Sequence, residues 1–299
     1  MADAAKIAGA GKLVPPVRPE FERREIGESS FGAVERPLSA WERLTNITAV
    51  RRTFIVVLLA VVWEGYARWI DNPLIFPTFS ETVTALYDAF TRGPLLGRTL
   101  TTLQVLLTGY AAGLALAAVF TTLAVSTRIG TDLLSTLTAM FNPLPAIALL
   151  PLALLWFGLG IKSLVFVIVH SVLWAVALNT HSGFLSVSET LRMAGRNAGL
   201  TGVRYVVELL IPAAFPSILA GLKIGWAFAW RTLIAAELVF GVSAREGGLG
   251  WFIFENRNLL DTANVFAGLL TVIIIGLVVE NVVFRAIEAR TVRRWGMQR

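Results

Sequence analysis

Asp, Glu, Lys and Arg are absent from four long stretches of this chain: between Arg98 and Arg128, Asp132 and Lys162, Lys162 and Glu189, and Asp261 and Glu280. Each stretch is near or above the roughly 20 residues with which a helix crosses a bilayer. A soluble helix of that length keeps a polar face, and these segments have none. Uninterrupted apolar runs argue for membrane spans rather than for a large buried core. The pattern predicts an all-α polytopic membrane protein of about six transmembrane helices.

The spans are expected at about Thr53–Ile70, Leu96–Val125, Leu134–Phe157, Ser163–Phe184, Ala214–Phe240 and Thr262–Phe284. In the first, Glu64 precedes Arg68 by four residues, the favourable order for a helical ion pair. Pro73, Pro77 and Gly93-Pro94 break the segment that follows, leaving room for a short helix around Ser80 to Phe90. Pro143, Pro145 and Pro151 interrupt the third span. Such breaks survive in a membrane only where protein or water satisfies the freed carbonyls. Gly109 with Gly113, and Gly221 with Gly225, are small-xxx-small pairs that permit close helix packing, within the chain by default and between copies otherwise. Trp63, Trp69, Trp156 and Trp251 fall near span ends, where interfacial anchors sit.

Residues 1–37 hold four prolines among scattered charges and no apolar period, which reads as a mobile tail. No short apolar run with a small-residue cleavage site follows, so a secretory signal is not expected. Ser39 and Glu42 have capping-box spacing, and a surface helix is expected from about Ser39 to Arg52. The organisation predicted is a cytoplasmic N-terminal tail over 1–52, the first span and its connecting segment over 53–95, a core transmembrane domain over 96–285 containing a cytoplasmic loop at 186–212, and a basic cytoplasmic tail over 286–299. Eighteen Lys and Arg fall on the side of the termini if six spans alternate, against six on the other. The positive-inside bias therefore places both termini in the cytoplasm.

Composition narrows the function. Hydrophobic residues make up 56% of the chain and charged ones 15%, well below the roughly 25% charge of soluble domains. The net charge of +6 is accounted for by membrane topology, so no nucleic-acid partner is expected. There is no cysteine, which excludes disulfides, a thiolate nucleophile and cysteine metal sites. No catalytic or metal-binding residue is expected. Gly9-Ala10-Gly11-Lys12 is followed by Leu13 and lacks the spacing and the Ser or Thr of a phosphate loop, so no nucleotide cofactor is expected in this chain.

The most informative segment runs from Ser188 to Trp230. Its first part is polar and helix-capable, with Arg192 and Arg196 four apart, and Gly199 and Gly202 allow a sharp turn. An amphipathic run from Val203 to Ile211 leads to Pro212 and Pro216, which mark entry into the fifth span. A short helix held by glycines and anchored to a span is suited to receive a cytoplasmic partner.

This segment resembles the EAA motif of ABC importer permeases of the binding-protein-dependent class. Met193-Ala194-Gly195, Gly199 and Leu209-Leu210-Ile211-Pro212 fit its spacing. Met193 stands where the motif has its Glu, and Gly195 where it has its second Ala; Glu189 lies one turn earlier. Pro143–Gly160, Gly221–Val239 and Gly247–Ile253 resemble the nitrate, sulfonate, taurine and bicarbonate subgroup, and the resemblance covers roughly residues 70 to 290.

The resemblance implies a type I ABC importer permease fold and a division of labour. Two permease chains, commonly identical, form the pathway; two cytoplasmic ATPase subunits carry ATP and Mg²⁺; and a periplasmic or lipid-anchored solute-binding protein delivers a small, anionic solute. The site of coupling to the ATPase would comprise Glu189, Arg192, Met193, Ala194, Gly195, Arg196, Gly199, Leu200 and Pro212. The chain itself is expected to be no enzyme and to sit in the bacterial inner membrane.

Ionisable residues within spans cost about 2.5–3.5 kcal/mol to insert and should face protein or water. Lys223, Trp230, Arg231, Glu237 and His170 are candidates for the pathway. The competing reading pairs Arg231 or Lys223 with Glu237. His170 and His181 share a helix eleven residues apart, consistent with a proton relay or with helix-contact histidines. An ATP-independent secondary transporter or channel subunit is the alternative, and the prolines of the third span are its best support. A purely structural subunit would leave the polar loop unexplained.

Overall fold

The computed structural model describes Glu42, residues 45–240 and 247–294, and Gly296. Residues 1–41, with the Gly9–Lys12 segment, and residues 43 and 44 lie outside these residues, including Ser39 of the expected capping box. The described residues fall into two units, divided between Val57 and Leu58. In the first, Arg51 donates from its guanidinium to the carbonyl of Thr45 at 2.6 Å, at the start of α1 (Thr48–Ile70).

The second unit continues α1 and adds α2 (Phe79–Thr91), α3 (Leu95–Ser126), α4 (Arg128–Phe141), α5 (Leu150–Phe157), α6 (Ile161–Leu185), α7 (Glu189–Asn197), α8 (Gly202–Tyr205), α9 (Ile211–Phe240), α10 (Leu249–Asn258), α11 (Thr262–Val278) and α12 (Arg285–Arg290). No strand occurs among the described residues. Among the described residues five helices are long and apolar enough to cross a membrane, and a sixth span results if the bent pair over Arg128–Phe157 is counted as one. All six expected spans are present as helices, and the third differs in form. Its halves meet at 88°. Pro143 and Pro145 supply no N–H donors there, so the α-helical ladder stops at Asn142 and resumes through a 3₁₀ turn at Ala146–Leu149.

The core is organised around α6, in which Val167, Ile168, Val172 and Ala177 are fully buried. Both small-residue pairs face it. A Cβ on Gly109 or Gly113 of α3 would strike Ile168 or Val172, and one on Gly221 or Gly225 of α9 would strike Asn179 or Val176. In a membrane, where lipid is as apolar as leucine, such close approach supplies the van der Waals contact that holds helices together. The glycine pairs are thus consumed within the chain. Tyr110 of α3 adds a polar tie, donating to the carbonyl of Leu222 on α9 at 2.9 Å.

The connecting segment after α1 is pinned locally. Thr78 and Glu81 form a reciprocal capping box at the start of α2. Glu64 pairs with Arg68 at 2.7 Å and also accepts from the backbone N–H of Ser80 at 3.0 Å. Trp63 is not a free interfacial anchor: its indole donates to the carbonyl of Pro77 at 3.0 Å, and its ring packs against Phe76, Phe79 and Phe266.

Candidate functional site

The fifth span, α9, carries three structures along its length: an elbow before Ile211, a cleft around Arg231 and a polar node at Glu237.

The elbow begins where α6 ends. Ser188 caps α7, its hydroxyl accepting from the N–H of Leu191 at 3.4 Å. Arg192 turns back and donates to the carbonyls of Phe184 at 2.6 Å and Val187 at 3.1 Å. A cation on the last carbonyls of a helix answers both their unmet hydrogen bonds and the negative end of the helix dipole. Arg192 therefore fastens α7 to α6. Gly195 is the only buried residue of α7, and a Cβ there would land on Leu209. Gly199 and Gly202 both adopt positive φ, +79° and +57°, so the chain reverses where only glycine does so without strain. Leu200, Tyr205 and Val206 then pack with Phe184, Leu209 and Leu210 in a small apolar core. A π-helical turn at Val206–Leu210 runs directly into α9. Glu189, Met193, Ala194, Arg196 and Gly199 are exposed, whereas Leu200 and Pro212 are half-buried.

The node lies near the other end of α9. Glu237 is completely buried. Its carboxylate accepts from the hydroxyl of Thr102 on α3, at 2.9 Å to Oε2, and from the N–H of Gly250 at 2.9 Å. The same Thr102 oxygen accepts from the N–H of Leu249 at 2.7 Å. Helix α10 has no side chain of its own to cap it, because its N-cap is Gly248. Two other helices reach in to satisfy its first N–H groups, and a buried acid sits at the positive end of its dipole. Gly248 is obligatory here for steric reasons: a Cβ would fall on the Glu237 carboxylate and the Thr102 hydroxyl. Arg98 reinforces the arrangement, donating to the carbonyl of Gly247 at 2.9 Å and pairing with Glu255 at 3.4 Å. The segment Gly247–Trp251 is thus the capped start of a helix.

Glu237 pairs with neither Arg231 nor Lys223. Lys223 instead meets Glu288 of α12 at 2.9 Å, and Glu288 also meets Arg293 at 3.6 Å. Trp230 is buried in the core. Arg231 lines a cleft of about 350 Å³ together with His170 and the broken stretch Phe141–Ile147. His181 does not line it but borders an adjoining depression that shares Asn142 and Pro143 with it. Of the five candidate pathway residues, the structure brings together Arg231 and His170. Among the described residues no group of three or more His, Asp or Glu is placed to hold a metal ion.

The node escaped the sequence reading because its members are remote: Thr102 and Glu237 are 135 residues apart. The available signal was the juxtaposition of a lone acid at the end of an apolar span with a Gly-Gly-Leu-Gly turn, whose N–H groups need acceptors.

Residues 109–295 match the family described as binding-protein-dependent transport system inner membrane component. An ABC transporter permease protein of Methanocaldococcus jannaschii is 32% identical over 236 residues, covering 78% of this chain and 87% of that protein. The taurine transport system permease protein of Escherichia coli is 33% identical, over 50% of this chain and 53% of its own length. The nitrate import permease protein of a Synechocystis strain is 26% identical over 78% of this chain and 86% of its own. With its bundle of apolar helices, its glycine-hinged elbow and these relatives, the chain belongs to the family of inner-membrane permease components of binding-protein-dependent ABC importers.

Proposed function

We propose that this permease moves a small anionic solute into the cytoplasm by alternating access, with the elbow Glu189–Leu210 as the receiver of work done by two separate ATPase subunits. The termini and the elbow lie on the cytoplasmic side, as the distribution of Lys and Arg supports. ATP and Mg²⁺ bind to the ATPase partners and not to this chain. A second copy of the permease completes the pathway, and a periplasmic or lipid-anchored binding protein delivers the solute. The names of the relatives, nitrate and taurine permeases, support a cargo that carries an oxyanion group.

The observation that carries this reading is the construction of the elbow. Helix α7 turns its exposed residues, Glu189, Met193, Ala194 and Arg196, away from the bundle while Gly195 seats against Leu209. Leu209 belongs to the turn that continues into α9, so a push on α7 reaches the fifth span without an intervening flexible loop. Arg192 transmits the same displacement to the end of α6. Glu189 and Met193 are one helical turn apart, so the acid offered at Glu189 is on the face that presents Met193. ATP binding favours the closed ATPase pair, and that difference between the two states tilts α9 and the helices packed on it.

The experiment is co-expression with the cognate ATPase. Deleting Glu189–Thr201 is expected to abolish co-purification, and Arg196→Glu, which leaves the backbone intact, to weaken it. Retained ATPase together with undiminished transport would refute the role of the elbow.

A further inference from the structure

We propose that the cleft at the break of the third span is an anion-binding site inside the permease, which takes a compact monoanion with an oxyanion head group and a small apolar body. The inference rests on the importer reading for its role in transport, but its evidence is separate. The cleft, of about 350 Å³, lies where α4 and α5 bend apart, against α6 and α9. Arg231 is exposed and provides the only formal charge among the lining residues, none of which is acidic. Its Nε donates to the carbonyl of Ala227 at 3.0 Å, and its guanidinium lies 5.2 Å from the centre of the Phe228 ring. Its terminal nitrogens have no hydrogen-bond partner among the described residues. A guanidinium fixed at one nitrogen and open at the other two presents a fork matched to an oxyanion.

His170 and Trp174 also line this space, and their unpaired ring nitrogens are closed to solvent just behind its surface. Trp174, more than nine-tenths buried, has an indole N–H with no acceptor, and both ring nitrogens of His170 are buried and unpaired. The hydroxyls of Ser171 and Thr232 lie 3.0 Å apart on the cleft wall, and Ser171 is also bonded to the carbonyl of Val167 at 3.1 Å. Buried polar groups are seldom left unpaired, and a cluster of them beside a cavity calls for a ligand or water. Apart from Asn142, the remaining wall is apolar: Phe141 stacks on Trp174 at 5.3 Å, and Leu144, Ile147 and Phe228 also line the cleft. That combination suits an ion with one charged end and an apolar body better than a strongly hydrated dianion. Arg231 also stands about 14 Å of helix rise from Phe240, within the apolar length of α9. A cation at such a depth must face protein or water, and the cleft is where it does so.

Because the chain has no cysteine, one introduced at Ala235, one turn from Arg231 on the cleft wall, is a unique reporter. The permease, assembled with its ATPase subunits in lipid nanodiscs, is treated with a negatively charged sulfonatoethyl methanethiosulfonate and a positively charged trimethylammonioethyl one. With each rate divided by the same reagent's rate with a free thiol, Ala235→Cys should react at least ~10-fold faster with the anionic reagent than with the cationic one, the order expected for a nearby partly desolvated charge. Arg231→Gln should bring that ratio close to one, and Arg231→Lys should retain most of it. Millimolar methanesulfonate should slow labelling, and the same concentration of glycerol should not. Equal rates for the two reagents regardless of residue 231, no protection by methanesulfonate, or a cysteine that neither reagent reaches would each overturn the proposal. Retention of the ATPase in the same sample reports on the elbow independently, so failure of the cleft and failure of the importer reading are read separately.

Discussion

Glu237 and Arg231 are six residues apart on one helix and meet opposite fates. Glu237 is sealed from solvent and has a partner for each of its carboxylate oxygens, drawn from α3 and from the start of α10. Arg231 is exposed, bonded through a single nitrogen, and faces a cleft lined by further unpaired groups. An ionisable group in an apolar span is costly wherever it is placed. When its hydrogen bonds close within the fold, it serves architecture. When they stay open beside a cavity, it is available to a passing ligand. The two residues cannot be told apart by type or position in the sequence; the closure of their hydrogen bonds separates them.

The sharpest way to break this comparison is to remove the acid. Glu237→Ala leaves the Thr102 hydroxyl and the Gly250 N–H without acceptors in a dry interior. Each such group costs about 1–3 kcal/mol, so a loss of about 3 kcal/mol or more is expected, seen as a lower thermal midpoint of the detergent-solubilised protein. Glu237→Gln should cost much less. The amide oxygen still accepts from Gly250, and the amide nitrogen donates to Thr102, whose oxygen has a second lone pair for it. If Glu237→Ala melts with the wild type, the node is not a structural clamp. If Glu237→Gln is as damaging as Ala, the charge itself matters and the two residues are more alike than the geometry indicates.

A smaller effect is expected at Gly248. Its φ of −83° is accessible to any residue, so Gly248→Ala carries no backbone strain. Its added methyl, however, lands on the Glu237 carboxylate and the Thr102 hydroxyl. Overpacking of this kind costs about 1–3 kcal/mol. Gly97→Ala is the matched control: it lies in α3 with nothing within 4 Å of the new Cβ, and is expected to be neutral or stabilising by up to ~1 kcal/mol. Equal melting of the two variants would mean that the node yields easily. Gly248→Ala in the Glu237→Ala background tests the coupling directly, since only the conflict with the Thr102 hydroxyl should then remain and the added cost should fall.

What was legible in the sequence follows the same division. The spans were readable because membrane insertion imposes a rule on every residue in a row, and a run of twenty carries its own evidence. The elbow was readable because its devices are local: Ser188 before α7, glycines at the two positive-φ positions, and Pro212 at the entry to α9, whereas Pro216, expected with it, lies inside the helix. Arg192 shows the limit of that reading. Grouped with Arg196 by sequence spacing, it points back to the carbonyls of Phe184 and Val187, while Arg196 points away. The bend in the third span was signalled by Pro143 and Pro145, but the residues it would face were not, because His170 and Arg231 arrive from other helices. Long-range polar contacts leave no period in a sequence. Lys223 and Glu288, 65 residues apart, were invisible for the same reason.

The smallest expected effect is the one that completes the comparison. Arg231→Gln removes a charge from the middle of an apolar helix, and by the bare rule that buried charges are structural it should be as harmful as the loss of Glu237. The geometry argues otherwise. Arg231 gives up one hydrogen bond to a carbonyl of its own helix and one contact with the Phe228 ring. No other side chain is left unpaired by its removal, and the cost of holding a cation at that depth disappears with it. The change in stability is expected to lie within about 0.5 kcal/mol, as for substitutions away from packed or bonded features. Thermal midpoints of Arg231→Gln and wild type measured side by side should therefore coincide, even as the charge preference of labelling at Ala235→Cys is lost. A midpoint depressed as far as that of Glu237→Ala would place Arg231 among the structural groups, and the distinction between closed and open hydrogen bonds on α9 would fail with it.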